Sequence, residues 1–145
     1  MSIDGLYTQL ITEHSRDKRN RRRVEGATHK HNGVNPSCGD EISLELREEN
    51  GVVADVAFTG TGCAISQASA SMMADLLTGK RIDEANRLCE KFLSMIKGDV
   101  TDEDELEELE EAIALQGVSK MPARVKCAVL AWRTYETAMR EGRTI

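Results

Sequence analysis

Apolar and polar residues alternate along this chain in two rhythms, and the change of rhythm divides it into regions. Ile3, Leu6, Tyr7, Leu10 and Ile11 recur at helical spacing, which predicts an amphipathic helix from Ser2 to His14 with Ser2 as its cap. Further on the period shortens to two. Ile42, Leu44 and Leu46 alternate with Glu41, Ser43, Glu45 and Arg47, and Val52, Ala54, Val56 and Phe58 repeat the pattern after Asn50-Gly51. Two alternating runs joined by Asn-Gly predict a hairpin, with one buried face that helices must cover. The polar stretch Ala27 to Asn32 reads as a short edge strand. Asn32-Gly33 and Asn35-Pro36 read as turns that lead into a loop, Ser37-Cys38-Gly39-Asp40.

Helical spacing then returns. The helix after Cys63 buries Ile65, Ala68, Met72 and Leu76, is rich in Ala and Ser, and is capped by Gly79. A further helix from about Asp83 to Lys97 carries Leu88, Phe92, Met95 and Ile96, with Cys89 on the edge of that side, and Gly98 ends it. Thr101 and Asp104 resemble a capping pair opening an acidic helix with Leu106, Leu109 and Ile113 on its apolar face. Met121-Pro122 starts the last helix, whose stripe is Val125, Ala128, Val129, Trp132 and Met139. On it Cys127 points about 200° from Val125 and Val129 but about 60° from Arg124, off the stripe. The whole pattern predicts a single α+β domain over residues 1–145, a small three-stranded antiparallel sheet packed against a helical half.

Composition narrows the picture. Aromatic residues make up only 3% of the chain, so Leu, Ile, Val, Met and Ala must fill the core. There is no apolar run of bilayer length and no basic-then-apolar signal pattern at the start, so a soluble, cytoplasmic protein without a membrane role is expected. In a reducing compartment its four cysteines are thiols or metal ligands rather than disulfides. The net charge of −6 conceals an asymmetry: five of six residues from Lys18 to Arg23 are basic, and eight of ten from Asp102 to Glu111 are acidic. The overall balance argues against nucleic-acid binding, and both segments read as solvated faces unless a protein partner uses the basic one.

The candidate chemistry lies in three cysteines. Cys63 stands between Gly60-Thr61-Gly62 and the small-residue helix, where the helix dipole favours a thiolate. Cys38 and Asp40 are one residue apart in a glycine-containing turn, and Cys127 faces away from the stripe of its helix. Three thiolates and a carboxylate would complete a four-coordinate zinc site. Their spacing is not a local signature like paired Cys-x-x-Cys, so a plainer reading stands beside it. In that reading Cys38 is an inert loop residue, Cys63 a packing choice, Cys127 a minor core residue and Asp40 a turn cap. Cys89 reads as core, and His14, His29 and His31 lack ligand spacing.

Asn35-Pro36-Ser37-Cys38-Gly39-Asp40, Gly60-Thr61-Gly62-Cys63-Ala64-Ile65-Ser66, Ala68-Ser69-Ala70-Ser71-Met72 and Ala123-Arg124-Val125-Lys126-Cys127 through Leu130-Ala131-Trp132 resemble the IscU-like iron–sulfur cluster assembly family. The resemblance covers most of the chain in the right order. It is nearest to the SufU branch, because the scaffold type carries a histidine immediately before its third cysteine, where this chain has Lys126. The interval from Cys63 to Cys127 is also longer than in scaffold IscU, with the acidic segment from about Thr101 to Gln116 as the insertion. Lys18 to Arg23 is more basic than the family pattern.

The resemblance implies a tightly bound Zn2+ held by Cys38, Asp40, Cys63 and Cys127. It also implies a SufS-type cysteine desulfurase as persulfide donor and a SufB-containing assembly complex downstream. The expected activity is zinc-dependent sulfur transfer. The donor replaces one sulfur ligand, the freed Cys38 takes the sulfur, and Arg124 steadies the negative charge by pairing with Asp40 or the released thiolate. The alternative is a scaffold that builds a [2Fe–2S] cluster on the same cysteines and aspartate.

Overall fold

The computed structural model describes residues 3–143. The expected cap Ser2 and the side chains of Ile3 and Leu6 lie outside the described residues. Helix α1 (Ile3–Arg16) leads to strand β1 (His29–Asn35), and β1 runs antiparallel to β2 (Asp40–Glu49), which pairs with β3 (Val52–Thr61). The three strands lie in the order β1-β2-β3. Asn50 and Gly51 close the β2–β3 hairpin with φ of 54° and 78°, the left-handed pair that this two-residue turn needs. Helices α2 (Ala64–Leu77), α3 (Ile82–Lys97), α4 (Glu103–Leu106) and α5 (Pro122–Glu141) follow, with a 3₁₀ stretch Glu107–Lys120 between the last two.

The core sits where α2 and α5 cross behind the sheet. Ile42, Leu44, Leu46, Val56 and Phe58 face it from the strands, all 1% exposed or less. Eleven of the fourteen residues of α2 are buried, more than one stripe, so this is the central helix and not a surface one. Its small side chains let neighbours approach closely. Ser69 is fixed at one such contact: its hydroxyl donates to the Ala128 carbonyl at 2.5 Å and accepts from Trp132 Nε1 at 2.8 Å. Trp132 stacks on Phe92 with ring centroids 3.9 Å apart, so two of the few aromatics tie α5 to α3. Cys89 is buried there as expected, its thiol donating to the Trp132 carbonyl at 3.4 Å.

Four expectations need correction. The edge strand is His29–Asn35 and not Ala27–Asn32, and Gly33 lies inside it, opposite Ile42. Gly33 serves close packing and not a turn: a Cβ there would fall 2.0 Å from Thr134 Oγ1 on α5. The acidic segment is not one helix capped by Thr101. Asp102 caps α4, accepting from Asp104 N–H at 3.0 Å, and the backbone breaks again at Glu110 (φ 52°, ψ −129°). Crowded carboxylates disfavour a continuous helix here. The segment is instead pinned by buried Leu106, Leu109, Leu115 and Val118, and by Arg87 and Lys91, which both reach Glu108.

Cys127 is not off the packed face of α5 but fully buried, whereas Val125, Val129 and Met139 are only partly so. The helix is wrapped on two sides, by α2 and by β1, and a single stripe cannot describe it. Lastly, the basic run is not a free solvated face but is held against the sheet. The run Lys18–Arg23 pairs with the free edge of β3, where Arg21 bridges Phe58 in parallel and Phe58 N–H donates to Asn20 O at 2.9 Å. It then turns onto the outer face, where Arg22 pairs with both oxygens of Asp55 at 2.8 and 2.9 Å and Arg23 meets Glu45 at 3.1 Å. Arg19 reaches Asp17 and Asp75. Val24 and Ala27 then cover Ala57, and Glu45 is buried beneath. His14 likewise joins elements, its two ring nitrogens meeting Ser71 Oγ at 2.8 Å and Glu111 at 3.1 Å.

Gly33→Ala should cost about 1–3 kcal/mol by overpacking the β1–α5 contact. Urea unfolding of the single variant, and of the Gly33→Ala/Thr134→Ala double that removes the struck hydroxyl, checks this; partial recovery in the double is the expected result.

Candidate metal centre

The end of β1, the start of β2, the start of α2 and the first turns of α5 converge on one spot. Asp40 is the first residue of β2, paired across the sheet with Asn35, rather than a loop residue. Its side chain is 1% exposed and reaches the start of α2. There Oδ1 accepts from the Cys63 N–H at 2.9 Å and from Ser66 Oγ at 3.2 Å, while Oδ2 accepts from Asn35 Nδ2 at 3.1 Å. The anion seated on the α2 N-terminus is therefore this carboxylate; Cys63 makes no side-chain cap. Burial would raise the Asp40 pKa, but hydrogen bonds from Cys63, Cys127, Asn35 and Ser66 outweigh it and hold the carboxyl below its usual value.

Cys38 and Cys127 come from opposite ends of the chain, and their sulfurs are 3.1 Å apart. Cys38 sits in the turn between β1 and β2, half-buried, with its thiol 3.8 Å from the Ala123 carbonyl on α5. Cys38 Sγ, Cys127 Sγ and an Asp40 oxygen all lie within 4.8 Å of one another. Cys63, also half-buried, is near enough that it adds to the rise in the Cys127 pKa, behind burial and Cys38. A buried thiol among other sulfurs and a carboxylate has no good place for its own charge, and a divalent cation would relieve that.

Arg124 is exposed one turn before Cys127, and its guanidinium pKa is raised first by a hydrogen bond with Cys127 and next by the charge of Cys63. Of the two pairings expected for it, with Asp40 or with a thiolate, the charges that raise its pKa are those of the cysteines and not of Asp40.

Three of the predicted ligands, Cys38, Asp40 and Cys127, thus form one cluster, while Cys63 and Arg124 lie beside it and outside the group of mutually close donor atoms. Sequence reasoning missed three supports. Asn35 carries a turn signal through Pro36, but nothing in the pattern reveals that its amide faces Asp40. Ser66 looks like one more small residue of α2. Gly62 reads only as part of a turn, yet a Cβ there would lie 2.3 Å from Ser66 Oγ and 2.7 Å from Asp40 Oδ1. Its bare Cα is what lets the carboxylate reach the helix.

A family model described as NifU-like N terminal domain matches residues 6–141. The chain belongs to that family. It is 40% identical over 141 residues to a Thermotoga maritima protein named iron-sulfur cluster assembly scaffold protein IscU, covering 97% of each chain. It is 40% identical over 143 residues to the zinc-dependent sulfurtransferase SufU of Bacillus subtilis, covering 97% of this chain and 95% of that one. A crystal structure titled as a putative iron-sulfur cluster assembly scaffold protein for the SUF system, from Fervidobacterium islandicum, superposes with a TM-score of 0.85 at 35% identity, over 95% of this chain and 99% of that one. The expected three-stranded α+β architecture is the observed one. Among the described residues no helix is long and apolar enough to cross a membrane.

Gly62→Ala should unseat Asp40. The expected outcome is a loss of about 1–3 kcal/mol in chemical denaturation of the metal-free protein, together with a rise of the Asp40 carboxyl pKa followed by NMR. Unchanged values for both would mean that the cradle tolerates a methyl group.

Proposed function

We propose that this chain is a zinc-dependent sulfur acceptor that takes persulfide sulfur from a SufS-type cysteine desulfurase and serves iron–sulfur cluster assembly. The observation that carries the reading is the donor set: a half-exposed Cys38 and a buried Cys127 with sulfurs 3.1 Å apart, grouped with an ionised, buried Asp40. With Cys63, these residues would hold Zn2+, a borderline-soft ion suited to thiolates and a carboxylate. When bound, the ion keeps the sulfurs deprotonated at neutral pH and shielded from oxidation.

The chain's own residues divide the work. Cys63 has its backbone N–H tied to Asp40 at the start of a buried helix, which suits holding. Cys38 stands in the turn outside the sheet, which suits reacting. Its thiolate attacks the outer sulfur of the donor persulfide. A new S–S bond forms at Cys38, the donor's S–S bond breaks, and the donor cysteine leaves as a thiolate. No oxidant or reductant is consumed. Arg124, exposed beside the sulfurs, steadies negative charge as it moves between the two proteins. The SufB-containing assembly complex is the proposed destination of the sulfur.

A second reading has one specific support: a relative at the same 40% identity as the SufU protein carries an IscU scaffold name. The same four donors would then build a [2Fe–2S] cluster as cargo. Lys126 in place of a histidine before Cys127 favours transfer. Metal analysis of anaerobically purified protein separates the two, with about one zinc per chain for transfer and iron with sulfide for the scaffold.

Desulfurase turnover with cysteine as substrate should rise when the zinc-loaded protein is added and fall back after zinc is chelated. Cys38→Ala should accept no sulfur. Arg124→Ala should keep its zinc and slow transfer about tenfold, as the loss of one charge-assisted hydrogen bond would. Equal loss of zinc and rate in Arg124→Ala would make that residue structural.

A further inference from the structure

Asn35 is the last residue of β1 and only 5% exposed, and its side-chain nitrogen faces two members of the donor set at once. Nδ2 donates to Asp40 Oδ2 at 3.1 Å and points to Cys127 Sγ at 3.8 Å. Both partners are acceptors when ionised, so the nitrogen and not the amide oxygen must face them, and its two hydrogens suffice for both. The backbone carbonyl of Asn35 also accepts the Cys38 N–H at 3.3 Å. One residue therefore braces the carboxylate, touches the buried sulfur and anchors the turn that carries the exposed one.

The two sulfurs differ in what surrounds them. Cys127 has a buried N–H donor in Asn35, in addition to the exposed Arg124 guanidinium one turn before it. Cys38 has the Ala123 carbonyl oxygen at 3.8 Å and the other sulfur at 3.1 Å, and once both thiols have lost their protons neither can donate to it. A hydrogen bond to a thiolate draws electron density from the sulfur and lowers its reactivity, whereas a facing carbonyl does the opposite. We propose that Asn35 is the positioning residue that directs reaction to Cys38: its amide quiets Cys127 and leaves Cys38 as the reactive sulfur. This rests on the reading of Cys38 as the sulfur acceptor. It adds what chooses between two sulfurs in contact.

The test is competitive alkylation of the zinc-loaded protein with limiting iodoacetamide, with each modified cysteine located by mass. Cys38 should be modified ahead of Cys127. In Asn35→Leu, which keeps bulk and removes the donor, the Cys127 rate relative to Cys38 should rise about tenfold, the low end of what a hydrogen bond to a metal ligand is worth. Asn35→Ala should do the same. In Co2+-loaded protein the sulfur-to-metal charge-transfer absorption should shift in both variants at unchanged metal stoichiometry, a change that better access to the sulfur does not cause.

An unchanged ratio and unchanged absorption overturn the proposal. So does a rise confined to Asn35→Ala, which would mean shielding by bulk alone. If Asn35→Leu fails to fold, the absorption of Co2+-loaded Asn35→Ala decides. Failure of wild-type Cys38 to accept sulfur overturns the functional reading itself, a result distinct from a missing effect of Asn35.

Discussion

The structure depends on a carboxylate from a strand seated on the first turn of a helix. Asp40 leaves the sheet, and its Oδ1 takes the N–H of Cys63. A helix start offers unpaired donors and a partial positive charge, and a buried anion is stable there because both are met together. That contact fixes the sheet against α2 at the place where the cysteines gather. It also explains why glycine precedes Cys63, since a Cβ at Gly62 would stand between the carboxylate and its donor.

Around that seat the chain is built for close approach. A helix buried on nearly every side has to present small groups, and α2 does so with Ser66, Ser69, Ser71 and four alanines. Buried hydroxyls need partners, and each of these serines has one on another element: Asp40 for Ser66, Ala128 and Trp132 for Ser69, His14 for Ser71. These contacts set the spacing between α2 and its neighbours. They bring Cys127 on α5 beside residues that precede it by nearly ninety positions in one case.

Much of this was legible in the sequence, for physical reasons. Alternation through Ile42–Leu46 and Val52–Phe58, with Asn50-Gly51 between, fixes both the hairpin and its buried face, because period two admits one register. The glycine-rich step into Cys63 marks the strand-to-helix turn. The misreadings came where tertiary contacts override local signals. Gly33 looked like a turn because the side chain it makes room for, Thr134, is a hundred residues away. Cys127 reads as off the packed face because a single stripe assumes one partner, and α5 packs against both α2 and β1. The basic run looked like a free surface because its acids, Asp55, Asp75 and Glu45, are scattered over other elements. Asn35 and Ser66 were invisible as supports, since nothing in a spacing says where an amide or hydroxyl points.

The fourth cysteine is set apart from the other three by its place in the core. Cys89 lies against Trp132, and burial, with Glu136 nearby, pushes its thiol pKa far upward. Sulfur exchange runs through thiolates, so this thiol is closed to it. In the folded chain a reagent that attacks thiolates therefore finds no partner in the core. Modification of Cys89 by a thiol reagent thus reports unfolding and not chemistry at the other three cysteines.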